Sequence, residues 1–236
     1  MLLSWWREQV AEKGPGAATS LLILNLWIFV RESMPERRRQ RYGDMDYDWE
    51  HRVNTTSGTV GWRERLQGLF HSPYQPTDPA LFREMMASLP VEFGSFTFID
   101  LGSGKGRTLL MASEYPFRKI IGVELLAALH QAAEENLTLY QSASQKCFEL
   151  EAVCGDATCF SFPADPLVLY LFNPLPESGL RQVIANLDRS LSECPRPVYV
   201  LYHNPLLDTV VRESASLTKI DGRQQFSIYA YRERRG

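Results

Sequence analysis

The stretch FIDLGSGKGRTLL, Phe98 to Leu110, decides how this chain is read. It begins as an apolar strand carrying one acid, Asp100. It turns through Gly102, Gly104 and Gly106, and resumes as an apolar helix from Arg107. A glycine turn between strand and helix is a ligand-binding device, and three ligands compete for it. A phosphate loop needs GxxxxGK followed by Ser or Thr. Here Lys105 is followed by Gly106, and Ile99 stands where the first glycine belongs. The dinucleotide pattern GxGxxG fits at Gly102 and Gly104, but the third glycine comes one residue early and Arg107 takes its place. The third option starts from Asp100. A carboxylate two residues before the first glycine disfavours a pyrophosphate and suits a ligand carrying positive charge. The glycines let a bulky nucleoside approach the backbone.

Outward from this turn the pattern alternates. SFTFIDLGS, KIIGVEL, CFELEAVCGDA, PLVLYLFNPL and RPVYVLYHNPL read as strands, separated by helices at GRTLLMASEY, LAALHQAAEENLTLY and PESGLRQVIANLDRSL. PLVLYLFNPL is almost continuously apolar, as a buried central strand should be. A short helix near DTVVRESASL precedes two last strands, LTKIDGR and QQFSIYAYRE, with no long helix between them. Repeated β-α units predict an α/β fold: a doubly wound, mostly parallel seven-stranded sheet with helices on both faces. The last pair predicts an antiparallel C-terminal hairpin. PTDPALFREMMASL, before the first strand, carries a helix start, with Thr77 or Asp78 as cap and Pro79 in the first turn.

Four motifs sit at successive strand ends: DLGSGKG (Asp100 to Gly106), GVE (Gly122 to Glu124), GDA (Gly155 to Ala157) and LFNP (Leu171 to Pro174). In this order the sequence resembles the class I S-adenosylmethionine-dependent methyltransferases, over about residues 74–233. S-adenosylmethionine carries an ammonium and a sulfonium, which agrees with the acid at Asp100. The resemblance implies that Asp100, Gly102, Ser103 and Gly104 surround the amino-acid part of that cofactor. It implies that Glu124 holds the ribose hydroxyls and that Asp156 and Ala157 meet the adenine. Asn173 and Pro174 would stand where the methyl group meets its acceptor. Upstream, YQPT, Tyr74 to Thr77, is similar to the entry loop of the non-SET lysine methyltransferases. This implies cofactor contacts from the hydroxyls of Tyr74 and Thr77.

The acceptor is read from the fourth motif. Adenine amino methyltransferases carry Asn or Asp, two prolines and an aromatic. Here the run is Asn173-Pro174-Leu175-Pro176, without the second adjacent proline or the aromatic, and Phe172 precedes it. This favours an amine nitrogen, such as a protein lysine or a small-molecule amine, over a nucleobase. RNA or DNA methylation is the first rival, and a non-catalytic S-adenosylmethionine-binding protein the second. Tyr202-His203-Asn204-Pro205, at the end of the fifth strand, neighbours the fourth strand's end. His203 is the candidate general base, titrating in a suitable range. His51 is expected in a loop that folds over the site. Lys105, beside a cationic cofactor, is expected to face solvent.

The chain has 236 residues, 44% of them hydrophobic and 22% charged, which suits one domain with additions or two small ones. Its net charge of -3 argues against non-specific nucleic-acid binding. Residues 1–45 are read as a helical, partly basic extension, 46–75 as a loop-rich cap segment, and 76–236 as the Rossmann-like domain. AATSLLILNLWIFV, Ala17 to Val30, is 14 residues long, whereas a spanning helix needs roughly 20. With the arginines of PERRRQR behind it, the segment 17–41 fits peripheral contact with an anionic membrane surface. Packing on its own domain or on a second subunit is the alternative. The four cysteines show no CxxC pair and no metal-site spacing. They read as free thiols, so a cytoplasmic protein without a bound metal is expected.

Overall fold

A computed structural model of the chain describes residues 14–16, 19, 45–56, 76–173 and 175–232. Two units are distinguished, 1–43 and 44–236. Of the first, a few residues around Gly14–Gly16 are described, together with Thr19, whose hydroxyl donates to the Pro15 carbonyl at 2.7 Å. Most of the segment expected at a membrane surface, 17–41, lies outside the described residues. So do Tyr74, Pro174 and residues 57–73 of the cap segment. No helix among the described residues is long and apolar enough to cross a membrane.

In the second unit, strands β1 (Thr97–Leu101), β2 (Lys119–Glu124), β3 (Leu150–Cys154), β4 (Leu167–Leu171), β5 (Val198–His203), β6 (Leu217–Gly222) and β7 (Phe226–Tyr231) form one sheet. Its order is β3-β2-β1-β4-β5-β7-β6. The first five strands pair in parallel, and β7 pairs antiparallel with both β5 and β6. The fold is thus doubly wound α/β with an antiparallel C-terminal hairpin, as the β-α repeat predicts. Strand order reverses between β1 and β4, and ligands of open α/β sheets bind outside the carboxyl ends of the strands at such a reversal.

Strand period two sorts the core into two layers. Phe98, Val168, Tyr170, Leu201 and Ile228 face helices α2 (Pro79–Ala87) and α3 (Arg107–Ser113). Ile99, Leu101, Leu169, Leu171, Val200 and Tyr229 face α5 (Glu177–Glu193) and α6 (Asp208–Arg212). Helix α5 presents Leu180, Val183, Ile184, Leu187 and Leu191, one apolar stripe at helical spacing, and all are buried. Each such side chain contributes roughly 1.5–3 kcal/mol. Helix α4 (Ala127–Leu139) follows β2. Asp78 caps α2 by accepting the Leu81 amide at 2.8 Å, and Pro79 occupies its first turn.

One stretch departs from expectation. Met45–His51, read as the start of a loop-rich segment, is a helix, α1. The reason is an arginine that the sequence pattern does not explain. Arg107, 2% exposed, opens α3 and reaches back to α1 and the turn after it. Its Nη2 donates to Asp48 Oδ1 at 3.1 Å and to Thr56 Oγ1 at 2.6 Å, and its Nε donates to Thr55 Oγ1 at 2.6 Å. The guanidinium lies 4.7 Å from the Tyr47 ring centroid. Asp48 in turn accepts the backbone amides of Thr55 and Thr56 at 2.9 and 2.6 Å and the Thr55 hydroxyl. Those bonds hold its carboxyl below the usual carboxylate range against the opposing effect of burial. A buried ion pair with its remaining polar atoms satisfied fixes one geometry.

Breaking this pair leaves a guanidinium buried. Asp48→Ala is therefore expected to cost about 3 kcal/mol, the low end for such a break because Thr55 and Thr56 still bond Arg107. Urea unfolding monitored by circular dichroism measures it. A loss under about 1 kcal/mol would show that the ion pair is not what anchors α1.

Candidate active site

The three glycines of the turn are left-handed: φ is 84° at Gly102, 54° at Gly104 and 82° at Gly106. L side chains rarely adopt such angles. At Gly106 a Cβ would also stand 3.2 Å from the Ala133 Cβ, so this glycine serves the packing of α3 on α4. The turn hangs on β2, with the amides of Gly102 and Ser103 donating to the Val123 carbonyl at 2.8 and 3.1 Å. Ser103 is buried, and its hydroxyl has no partner among the described residues.

Beneath the turn lie two carboxyl groups on one face of adjacent strands. Asp100 of β1 pairs in register with Gly122 of β2, and Glu124 follows two residues later. Asp100 is 2% exposed and Glu124 7%. Burial, reinforced by the charge of Glu124, pushes the Asp100 carboxyl up to about 8, against the opposing influence of the nearby Thr108 hydroxyl. Burial likewise raises Glu124. Glu124 accepts the Gly104 amide through Oε2 at 2.9 Å and the Leu126 amide through Oε1 at 2.8 Å. Each oxygen keeps a further lone pair for a hydroxyl donor. Both carboxyls are raised by burial, and Asp100 further by the charge of Glu124, an arrangement that can accept a cation.

At the end of β3, Asp156 is exposed. Its Oδ1 accepts the amide and hydroxyl of Thr158 at 2.8 and 2.7 Å, and buried Ala157 opens a 3-10 turn behind it. At the end of β4, Asn173 takes a left-handed conformation, φ 43°. Its Nδ2 donates to the Asn204 carbonyl at 2.6 Å, and its Oδ1 accepts the Tyr202 hydroxyl at 2.8 Å. Since a carbonyl only accepts, Nδ2 must be the atom facing Asn204, which fixes the amide orientation. One lone pair of Oδ1 remains for an acceptor's N–H. Pro174 lies outside the described residues.

His203 ends β5 against Phe172, the rings stacked 3.8 Å apart, and its Nδ1 lies 2.8 Å from the Tyr170 hydroxyl. Burial pulls its pKa down to about 4, against the nearby charge of Asp78, so the ring is neutral at neutral pH. His203 and Phe172 line a cleft of about 510 Å³ with Asn204, Arg223, Gln224 and Gln225.

Several side chains stand elsewhere than the sequence suggested. Lys105, expected in solvent, is 4% exposed, because the turn after α1 covers it and its Nζ donates to Asn54 Oδ1 at 3.3 Å. Burial lowers its pKa. Asn136 of α4 fixes that cover, accepting the Asn54 amide at 2.8 Å and donating to the Lys105 carbonyl at 2.9 Å. His51, expected over the site, ends α1 with its ring against Tyr47 and Tyr140 and its Nδ1 3.3 Å from the Gln141 carbonyl. The Thr77 hydroxyl is buried and bonded to Tyr170 at 2.8 Å, with Thr108 at 3.4 Å. Tyr170 and Thr108 escaped the sequence reading, whereas Tyr202 was noticed only as part of the polar cluster around His203. Register was the available signal, since Tyr170 of β4 is the direct neighbour of Asp100 on β1.

No protein-family model matches the chain, and none of the curated proteins matches it. Among solved structures it is similar to an RNA methyltransferase from Salinibacter ruber in complex with S-adenosyl-L-homocysteine. That likeness has 20% identity and a TM-score of 0.45, over 66% of this chain and 92% of that one. It is similar to a predicted N6-adenine-specific DNA methylase from Listeria monocytogenes, at 15% identity and TM-score 0.48, over 68% of this chain and 52% of that one. A third likeness is to a ribosomal protein L11 methylase from Lactobacillus delbrueckii subsp. bulgaricus, at 16% identity and TM-score 0.45, over 66% and 77% of the two chains.

Proposed function

We propose that the chain is an S-adenosylmethionine-dependent methyltransferase whose acceptor is an amine nitrogen, such as the side chain of a protein lysine. The observation that carries the reading is the pair Asp100 and Glu124, buried side by side under a left-handed glycine turn. A cationic amino group at Asp100 relieves both the burial and the mutual repulsion of the two carboxyls. Glu124 has lone pairs left for two neighbouring hydroxyls, and Asp156 Oδ2 for an amino group. When bound, the cofactor supplies an electrophilic methyl group on a sulfonium. The remaining work is to position the acceptor and remove its proton. Asn173 Oδ1 orients the acceptor nitrogen. His203 is neutral, with Nδ1 engaged and Nε2 left to take a proton. An alkylammonium must lose a proton before it attacks, and a ring pulled down to about 4 by burial is a weak base for that step. The expectation that His203 titrates in a suitable range is thus corrected, and the lysine-like reading stands on Asn173 and the carboxyl pair.

The stacked pair Phe172 and His203, beside Arg223 and two glutamines, favours a second reading in which the amine is a nucleobase amino group. Methylation assays on peptide and RNA pools separate the two. Strong loss of binding with added salt belongs to the nucleic-acid acceptor.

Calorimetric titration with S-adenosylmethionine and S-adenosylhomocysteine, with NAD and ATP as controls, tests the cofactor. Only the first two are expected to bind. Asp100→Ala and Glu124→Ala should each weaken binding by about 1.5–3 kcal/mol, roughly tenfold to more than a hundredfold. Wild-type affinity in both variants would move the site elsewhere.

Binding should also carry a proton linkage of definite sign. Below pH about 8 the Asp100 carboxyl of the free protein holds its proton. An ammonium beside it favours the ionised form, so a proton leaves on binding and affinity rises with pH toward that value. At neutral pH the apparent binding enthalpy should differ between buffers of different ionisation enthalpy, and should not in Asp100→Ala. Buffer-independent enthalpy in the wild type would mean that Asp100 is already ionised.

A further inference from the structure

Asn173 takes a left-handed conformation uncommon for any residue but glycine, and its carboxamide is bonded at both ends. Nδ2 donates to the Asn204 carbonyl at 2.6 Å, and Oδ1 accepts the Tyr202 hydroxyl at 2.8 Å. Asn204 is left-handed too, φ 49°, and its amide donates to the Gln225 carbonyl at 2.7 Å. The carbonyl that orients Asn173 is thereby fixed to the turn before β7. Tyr202 reaches Asn173 by register: it pairs with Leu171, two residues before the asparagine. Tyr202 is 1% exposed and Asn173 7%.

The tyrosine is itself held from behind. Its hydroxyl accepts the Leu207 amide at 3.2 Å, and a carbonyl oxygen only accepts, so its one proton goes to Asn173 Oδ1. Leu207 leads into α6, whose first residue is tied to the C-terminal hairpin. Asp208 accepts the Tyr229 hydroxyl at 2.5 Å, Arg212 Nε at 2.7 Å and Lys219 Nζ at 3.4 Å. Against burial, the bonds from Tyr229 and Arg212 pull the Asp208 carboxyl down to about 2, so this anchor stays charged. The terminal torsion of an asparagine is broad, and nothing within Asn173 fixes the plane of its carboxamide. Tyr202 and Asn204 fix it together. One lone pair of Oδ1 and one N–H of Nδ2 are left over.

We propose that Tyr202 is a positioning residue: by fixing the plane of the Asn173 carboxamide, it holds the remaining lone pair of Oδ1 in place for an N–H of the acceptor amine. The inference rests on the reading of the chain as an amine methyltransferase. No bond is made or broken at either side chain. Their work is to restrict the orientations in which an amine is held, since few of those aim its nitrogen lone pair at the methyl carbon. Tyr202 therefore acts on the reacting position and not on the seat of the cofactor.

The experiment uses two probes that differ only at that position. S-adenosylhomocysteine has a thioether there. Sinefungin has a carbon bearing an amino group in its place, which puts N–H donors where methyl group and acceptor meet. In calorimetric titration, Tyr202→Phe should lose about tenfold in affinity for sinefungin and keep that for S-adenosylhomocysteine within about twofold. Asn173→Ala should show the same selective loss. The double variant should lose no more than Asn173→Ala alone, because the tyrosine acts only through the carboxamide. A tyrosine with a merely structural role would weaken both probes together, and its loss would add to that of Asn173→Ala. Either result overturns the proposal. Should Tyr202→Phe not fold, the wild type carries the test. Its Asn173 side-chain amide signals in nitrogen–proton NMR, assigned by their absence in Asn173→Ala, should shift with saturating sinefungin and stay with S-adenosylhomocysteine. Signals that ignore sinefungin overturn the proposal. A wild type that binds neither probe sinks the cofactor reading itself, whereas binding of both with no selective loss in Tyr202→Phe sinks only the role of Tyr202.

Discussion

Two carboxyl groups side by side in a sheet end, away from water, are the constraint on which the rest of this site depends. Asp100 and Glu124 reach the same face because β1 and β2 pair in parallel with Asp100 opposite Gly122. Gly122 is itself part of the arrangement. A Cβ there would come within 2.5 Å of Leu109 Cδ1 and 2.8 Å of Ser103 Oγ, so its bare backbone lets the turn and α3 settle onto β2. The close approach brings the Gly104 amide onto Glu124. Neutral donors offset part of the burial and none of the repulsion. A fold that keeps such a pair holds free energy in reserve for a cation.

The turn is covered as well as strained. Arg107 stands where a dinucleotide-binding chain would carry its third glycine. Its buried guanidinium draws Asp48, Thr55 and Thr56 onto the start of α3. Asn136 and Lys105 complete the cover through Asn54. A long side chain at this position thus trades close helix–strand packing for a tether to a segment about fifty residues earlier in the chain. The tether explains why α1 is helical in a stretch dense with turn formers and aromatics. One face of it is held by a charge that the local sequence does not contain.

What the sequence disclosed follows the range of the physics involved. Strand and helix order was legible because period two, period 3.6 and glycine punctuation are local. The strand-end acids Asp100, Glu124 and Asp156 were legible because parallel β-α units put every strand's carboxyl end on one edge. Long-range polar pairing was not. Nothing near Lys105 reveals that Asn54 and Asn136 enclose it, and nothing near Asp48 names Arg107 as its partner. His203 was found by its place at the end of β5. Its partner Tyr170 was hidden inside the apolar run LVLYL, where a tyrosine looks like one more core residue. Thr77 was noticed for its hydroxyl, but the hydroxyl points into the sheet face and is bonded there.

The alternation of β5 gives the last step. Tyr202 and His203 are adjacent in sequence, so their side chains leave opposite faces of the sheet. Tyr202 donates to Asn173 Oδ1 and accepts the Leu207 amide at 3.2 Å, which locks the carboxamide from below. That set of bonds has one direction only, because a backbone amide cannot accept and the Asn204 carbonyl cannot donate. The set on the other face, from Thr77 through Tyr170 to His203, joins two hydroxyls and an imidazole, each able to give or take. The strand therefore divides the end of the site into a fixed half and a reversible half. The fixed half contributes geometry, holding one acceptor lone pair in place whatever the state of the turn. The reversible half contributes chemistry, since it ends on the imidazole that lines the cleft. A substitution at Tyr202 should thus disturb where an acceptor sits, and one at Tyr170 whether it can lose a proton, although the two tyrosines lie on neighbouring strands of one sheet.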